Sequence, residues 1–230
     1  MQYLIWDFDG TLGYRSGMWS GTLLEVLRQE MPECPATVDD MRPYLQDGFP
    51  WHRPEQPHTP YTTAEAWWET LLPVFERAFH VGAWLGAREA RRLAQHVRAV
   101  YVNPHRWQLF DDTLPCLRTL SANGWKHVIL SNHVPELPHL MEALGLAPYI
   151  VQVFNSAQTG FEKPHPQAFR NVVTALGGAT QIWMVGDSVR ADIVGAQAVG
   201  LRAVLVRSQH PHAAHCCQTL AELPTVLSST

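Results

Sequence analysis

From residue 112 onward the chain alternates between short apolar runs and amphipathic runs of about ten residues. The apolar runs at Lys126–Leu130, Tyr149–Phe154, Ile182–Val185 and Ala203–Val206 read as strands. The stretches Asp112–Asn123, Glu136–Leu144, Gln167–Leu176 and Val189–Val199 carry apolar residues at helical spacing. Strands joined by such helices form βαβ units, and these build a parallel sheet with right-handed crossovers. A further strand is expected at Gln2–Phe8, stopped by Asp9-Gly10. The expected fold class is α/β, a Rossmann-like parallel sheet.

Between the first two strands the pattern is different. Met18–Glu30, Val38–Leu45, Thr62–Phe79 and Arg88–Tyr101 read as helices, with Pro73 as an expected kink. Pro50, Pro54, Pro57 and Pro60 mark an irregular loop. The expected organisation is an α/β catalytic core at 1–14 and 107–230, interrupted by an all-helical cap at 15–106.

Composition narrows the partners. Seventeen Lys+Arg against 21 Asp+Glu give a net charge of −4. No nucleic-acid groove and no polybasic membrane surface is expected from that balance. No apolar run is long enough to span a membrane. Four cysteines do not make a disulfide framework, and adjacent Cys216 and Cys217 pair poorly with each other. The first residues, which include Asp7, Asp9, Thr11 and Arg15, lack a signal-peptide pattern. A reducing, cytoplasmic setting is expected.

Four segments at strand ends carry chemistry. In Asp7-Phe8-Asp9-Gly10-Thr11-Leu12, two carboxylates leave an apolar strand two residues apart, hence on one side. Bringing them together costs repulsion unless a cation or a shared proton offsets it. Ser131-Asn132 ends the next core strand and offers a hydroxyl and backbone N–H donors. Glu162-Lys163-Pro164 follows the third, and Lys163 is one of only two lysines beside 15 arginines. Gly186-Asp187 ends the fourth, with Asp192 in the following helical turn. Singly, each segment also fits a solvated turn or a helix cap. In a parallel sheet, however, all four would converge on the crevice at the strand carboxyl ends. Hard oxygen ligands there suit Mg²⁺, and Mg²⁺ with an ammonium suits phosphoryl transfer.

Asp7-x-Asp9-Gly10-Thr11-Leu12, Ser131-Asn132, Lys163-Pro164 and Gly186-Asp187-x₄-Asp192 resemble the ordered motifs of the haloacid dehalogenase superfamily. The resemblance is to its helical-cap phosphatases, of the phosphoglycolate phosphatase type. It implies a Mg²⁺-dependent phosphatase working through an aspartyl-phosphate. Asp7 would be the nucleophile and Asp9 the acid and then the base. Asp7, Asp9 through its carbonyl, and Asp187 would hold Mg²⁺, with Asp192 binding it directly or orienting its waters. Ser131, Asn132 and Lys163 would bind phosphoryl oxygens, Lys163 would also hold Asp7, and Thr11 would fix the loop. The family's dehalogenases lack the second Asp of the first motif, so Asp9 disfavours that chemistry. Its phosphonate hydrolases need a cap lysine, and residues 13–106 contain none. A sugar-phosphate mutase and a catalytically idle binding protein remain alternatives.

The cap would choose the substrate. Here the chain reads Gly13-Tyr14-Arg15-Ser16, where many members carry an acidic residue followed by Ser. Tyr14, Arg15 and Trp19 are the candidates for contacting the leaving group. At least three of Trp19, Trp51, Trp67, Trp68 and Trp84 are expected to pack the small helical core. The expected partner is a small phosphorylated metabolite, and the expected assembly a monomer or homodimer. His210, His212, His215, Cys216 and Cys217 have metal-ligand chemistry, but their irregular spacing favours a solvated surface loop.

Overall fold

The computed structural model describes residues 1–228. Strand β1 (Gln2–Trp6) is followed almost at once by β2 (Gly13–Arg15). The chain then enters a helical insertion with α1 (Met18–Glu30), α2 (Val38–Met41), α3 (Ala64–Arg77) and α4 (Ala87–Tyr101). It returns through β3 (Trp107–Leu109), which pairs antiparallel with β2. After α5 (Thr113–Ala122) come β4 (Trp125–Ser131), α6 (Leu137–Ala143) and β5 (Ile150–Asn155). Next are α7 (Ser156–Thr159), α8 (Pro166–Ala175) and β6 (Gln181–Gly186). The last elements are α9 (Gly195–Gln197), β7 (Arg202–Val206), β8 (Cys216–Cys217) and α10 (Leu223–Ser228).

Six strands form one parallel sheet in the order β5-β4-β1-β6-β7-β8. Strand β1 is central and covered on both faces, which is why its sequence is a continuous apolar run. Its residues alternate between two cores, as a strand's period of two requires. Leu4 and Trp6 join the larger core, which runs on into the insertion. Tyr3 and Ile5 pack in the other core with Phe169 and Val172 of α8.

Helix α3 begins at Thr63, whose hydroxyl accepts from Ala66 N. It buries Trp67, Trp68, Leu71, Val74 and Phe75, and it continues through Pro73 to Arg77. Two further contacts fasten the insertion to the core. Glu136, just before α6, accepts from Trp68 Nε1 at 3.1 Å and pairs with Arg98 at 2.7 Å. On the other contact, His58 N donates to Gly160 O at 2.9 Å and His58 Nε2 lies 3.2 Å from Ser156 O.

Two expectations need correction. Cys216–Cys217 lies in the sheet's edge strand beside β7, with Leu205 N donating to His215 O and Arg207 N to Cys217 O. Backbone pairing, not side-chain chemistry, holds this part of the expected surface loop. Val189–Val194 is a widened π-type turn, with the N–H groups of Asp192 and Ile193 both reaching Ser188 O. Trp51, Trp67 and Trp68 pack in the insertion core, which meets the expectation of at least three, while Trp84 is 65% exposed with φ +55°.

Candidate active site

The carboxyl ends of β1, β4 and β6 bring the four sequence segments together, and the loop after β5 supplies the lysine. Asp7 Oδ1 is the meeting point. It accepts from Ser131 Oγ at 2.7 Å and from Phe8 N at 2.8 Å, and Lys163 Nζ lies 3.0 Å away. Lys163 Nζ also donates to Asp192 Oδ1 at 2.5 Å, while Asp192 Oδ2 accepts from Ser188 N at 2.9 Å. The ammonium is buried. Burial alone would lower its pKa, but Asp192 and Asp7 outweigh that and raise it, so Lys163 stays charged.

Two glycines make room for this crowding. A Cβ on Gly186 would lie 2.2 Å from the Asp192 carboxylate. A Cβ on Gly10, at φ +73°, would lie 2.2 Å from Asp187 Oδ2. Thr11 Oγ1 donates to Asp187 Oδ1 at 3.4 Å. Behind the loop, Arg207 donates to Thr11 O at 2.9 Å and to Asp112 Oδ1 at 2.8 Å.

Among the described residues, Asp7, Asp187 and Asp192 are grouped so that one ligand atom from each lies within 4.8 Å of the others. Burial, and then the charge of Asp7, push Asp187 up to about 6. Burial, Asp7 and Asp187 together hold Asp9 well above the usual carboxylate range. Four carboxylates thus face one ammonium, and three of them offer oxygen to one point. This donor set and its excess negative charge fit a hard divalent cation such as Mg²⁺. No such group is formed by the His/Cys tail among the described residues.

Asn132 does not extend its amide towards a ligand. Its Nδ2 donates to Lys163 O at 2.9 Å and its Oδ1 accepts from Lys163 N at 2.7 Å. This reciprocal pair ties the end of β4 to the lysine loop.

A cavity of about 370 Å³ opens beside Asp9, between the core and the insertion. Trp19, Trp51 and Tyr101 form its aromatic wall, with His133 and Lys163 deeper and Arg190 exposed at its edge. Trp19 stacks on Tyr101 with centroids 3.8 Å apart. Tyr14 and Arg15 are not brought into the cavity. Tyr14 Oη donates to Gln108 Oε1 at 2.9 Å. Arg15 is buried, with Nε on Thr22 Oγ1 at 2.8 Å and Nη2 on Glu25 Oε2 at 2.9 Å. Adjacency to the catalytic loop suggested ligand contact, but β2 turns both side chains along the β2–β3 ribbon and α1.

Sequence reading missed Trp51, Tyr101, His133 and Arg190 as wall residues. Two had a local signal: His133 directly follows Ser131-Asn132, and Arg190 lies between Asp187 and Asp192. Burial lowers the His133 pKa to about 4.

Carboxylates, a hydroxyl and a buried ammonium at the carboxyl ends of a parallel sheet, under a helical insertion, define a hydrolase of the α/β class. The haloacid dehalogenase-like hydrolase family matches residues 1–200, and the chain belongs to that family. It is 28% identical over 155 residues to haloacid dehalogenase-like hydrolase domain-containing protein 3 of Bos taurus, covering 65% of this chain and 59% of that protein. It is 31% identical over 150 residues to a phosphoserine phosphatase of Thermus thermophilus, covering 64% of this chain and 59% of the relative. The chain therefore matches under two thirds of the length of these curated relatives. The HAD-hydrolase YfnB of Bacillus subtilis, crystallised with magnesium, shares the fold with a TM-score of 0.72, 22% identity and 98% coverage of each chain.

Proposed function

We propose that the protein is a Mg²⁺-dependent phosphatase acting on small phosphate monoesters. The observation that carries this reading is the convergence of Ser131 and Lys163 on one oxygen of Asp7, within 3.0 Å. A hydroxyl and an ammonium at that point are what the phosphoryl oxygens of a bound ester would meet. The phosphatase name of the Thermus thermophilus relative supports the same reaction class.

In this reading the Asp7 carboxylate attacks phosphorus and the bond from phosphorus to the ester oxygen breaks. Asp9, kept protonated by its surroundings, gives its proton to the leaving oxygen. Water then attacks the aspartyl-phosphate, Asp9 takes the proton, and inorganic phosphate leaves with Asp7 restored. Asp7, Asp187 and the Asp9 carbonyl would hold Mg²⁺, which supplies charge neutralisation to the phosphoryl group when bound. Both oxygens of Asp192 are already taken by Lys163 and Ser188 N, so its main work is to anchor the ammonium. The insertion acts as a cap, and its aromatic wall limits the leaving group to a small one. Turnover of p-nitrophenyl phosphate and of a panel of phosphorylated metabolites, with and without Mg²⁺, tests the reading. No phosphate release from any of them would overturn it.

A further inference from the structure

We propose that His133 and Tyr101 form a hydroxyl-binding subsite, so that the substrate is the phosphate ester of a hydroxylated carbon skeleton with a hydroxyl next to the ester carbon. The proposal rests on the phosphomonoester reading and names its substrate class.

The His133 side chain is fully enclosed. Its ring meets Phe8 edge-on at 5.5 Å and lies 5.3 Å from Trp107. Packing of this kind is equally served by phenylalanine, which has no ring nitrogens to satisfy. Nδ1 lies 3.3 Å from Val134 O, which assigns the ring hydrogen to Nδ1. Nε2 is then a bare acceptor. It is buried without a hydrogen-bond partner, 3.8 Å from Asp9 Oδ2, on a residue that lines the cavity. At 3.8 Å Asp9 is beyond hydrogen-bond reach whatever its protonation, so this nitrogen calls for a donor from the cavity.

Tyr101 supplies the complement. Its side chain is 1% exposed and lines the same cavity, with its ring centroid 6.2 Å from that of His133. Burial raises the pKa of its hydroxyl and keeps it protonated. An acceptor and a hydroxyl therefore share a cavity with the Asp9 carboxyl that would protonate the leaving oxygen.

A substrate hydroxyl satisfies both, donating to His133 Nε2 and accepting from Tyr101 Oη. A carboxylate or second phosphate meets the imidazole lone pair with another lone pair. An ammonium has nothing to accept the tyrosine proton. A methylene leaves both protein groups unpaired, and sites built to bond a hydroxyl reject analogues that lack it strongly. The flat faces of Trp19 and Trp51 then lie against the carbon skeleton.

The test compares 2-hydroxypropyl phosphate with n-propyl phosphate, which differ by one hydroxyl, and includes p-nitrophenyl phosphate as a generic ester. The wild-type protein is expected to favour the hydroxylated ester by about 100-fold or more in kcat/KM. His133→Phe, which keeps the ring packing, and Tyr101→Phe, which keeps the stack on Trp19, should each reduce that ratio at least about tenfold. Tyr101→Phe removes a single oxygen, so it keeps the proposal falsifiable if His133→Phe does not fold. A wild-type ratio near one, or variants whose two rates fall in parallel, would overturn the subsite while leaving the phosphatase reading intact. Failure of the wild type on all three esters with Mg²⁺ would overturn both.

Discussion

His58 Nε2, from the proline-rich loop of the insertion, lies 3.4 Å from Glu162 Oε1, one residue before the lysine of the site. The glutamate side chain is fully buried, and burial pushes its pKa up to about 8. A carboxyl raised in the folded state is stabilising while protonated. That contribution is present below the unfolded value near 4.5 and is lost as pH rises to about 8. Over that window Glu162 should lower stability by up to about 1.4 kcal/mol per pH unit. Glu162→Gln should match the wild type near the acid end and exceed it at the alkaline end. Denaturant melts across this range check the point; parallel curves for the two proteins would refute it.

The nucleophile and the acid should separate by mutation. Asp7→Asn should abolish turnover and any covalent phosphate. Asp9→Asn should slow turnover of an alkyl phosphate about 10²–10⁴-fold and a nitrophenyl ester less, because its leaving group needs no proton. Rapid acid quench with labelled phosphate, followed by peptide mapping, reads both. Label on Asp9 would reverse the assignment.

Hydrolysis should vanish in excess chelator and return with Mg²⁺. Asp187→Asn should weaken Mg²⁺ binding measured by calorimetry on the protein without substrate. Undiminished turnover in chelator would remove the metal from the reaction.

Lys163→Met leaves Asp7 and Asp192 buried without their cation. Breaking a buried pair in this way costs about 3–5 kcal/mol. Thermal melts should show a clear loss of stability, larger without Mg²⁺ than with it, since a bound ion replaces part of the missing charge. A variant as stable as the wild type in chelator would mean that the carboxylates carry little charge in the folded state.

Arg15→Ala should act on stability and not on substrate ranking, because its guanidinium spans Thr22 and Glu25 inside the fold. Trp19→Ala should alter the ranking of esters, because Trp19 lines the cavity. Kinetics on several esters alongside melting curves separate the two effects.

The α/β core was readable because β1 and β4 are apolar strands bounded by turn residues, and because carboxylates and a hydroxyl sit at their ends. Asp7, Asp9, Ser131, Lys163, Asp187 and Asp192 are brought together as their motif order suggested. Asn132 is close to its expected place, but its amide holds the Lys163 backbone, a pairing across 31 residues that no local spacing encodes. The orientation of Tyr14 and Arg15 was not readable, since a three-residue ribbon has no periodicity to fix which way its side chains turn. Nor was the cavity wall, because Trp19, Trp51 and Tyr101 meet only through the packing of the insertion. Strand β8 has two residues, too few for any pattern to register.

The ribbon formed by Gly13–Arg15 and Trp107–Leu109 has a structural consequence for how specificity can change. The insertion leaves and re-enters the core at adjacent strands, with Gly13 opposite Leu109 and Arg15 opposite Trp107. Its two ends are therefore held at the spacing of neighbouring strands, about 5 Å. To the sheet, some ninety residues are a hairpin loop with a closed base, whose length adds little to the cost of closure. A different helical segment grafted onto the same base, or a shortened one, leaves the register of β1 and β4 undisturbed. On the phosphatase reading, exchanging the insertion should change the choice of ester and leave the chemistry of the core in place.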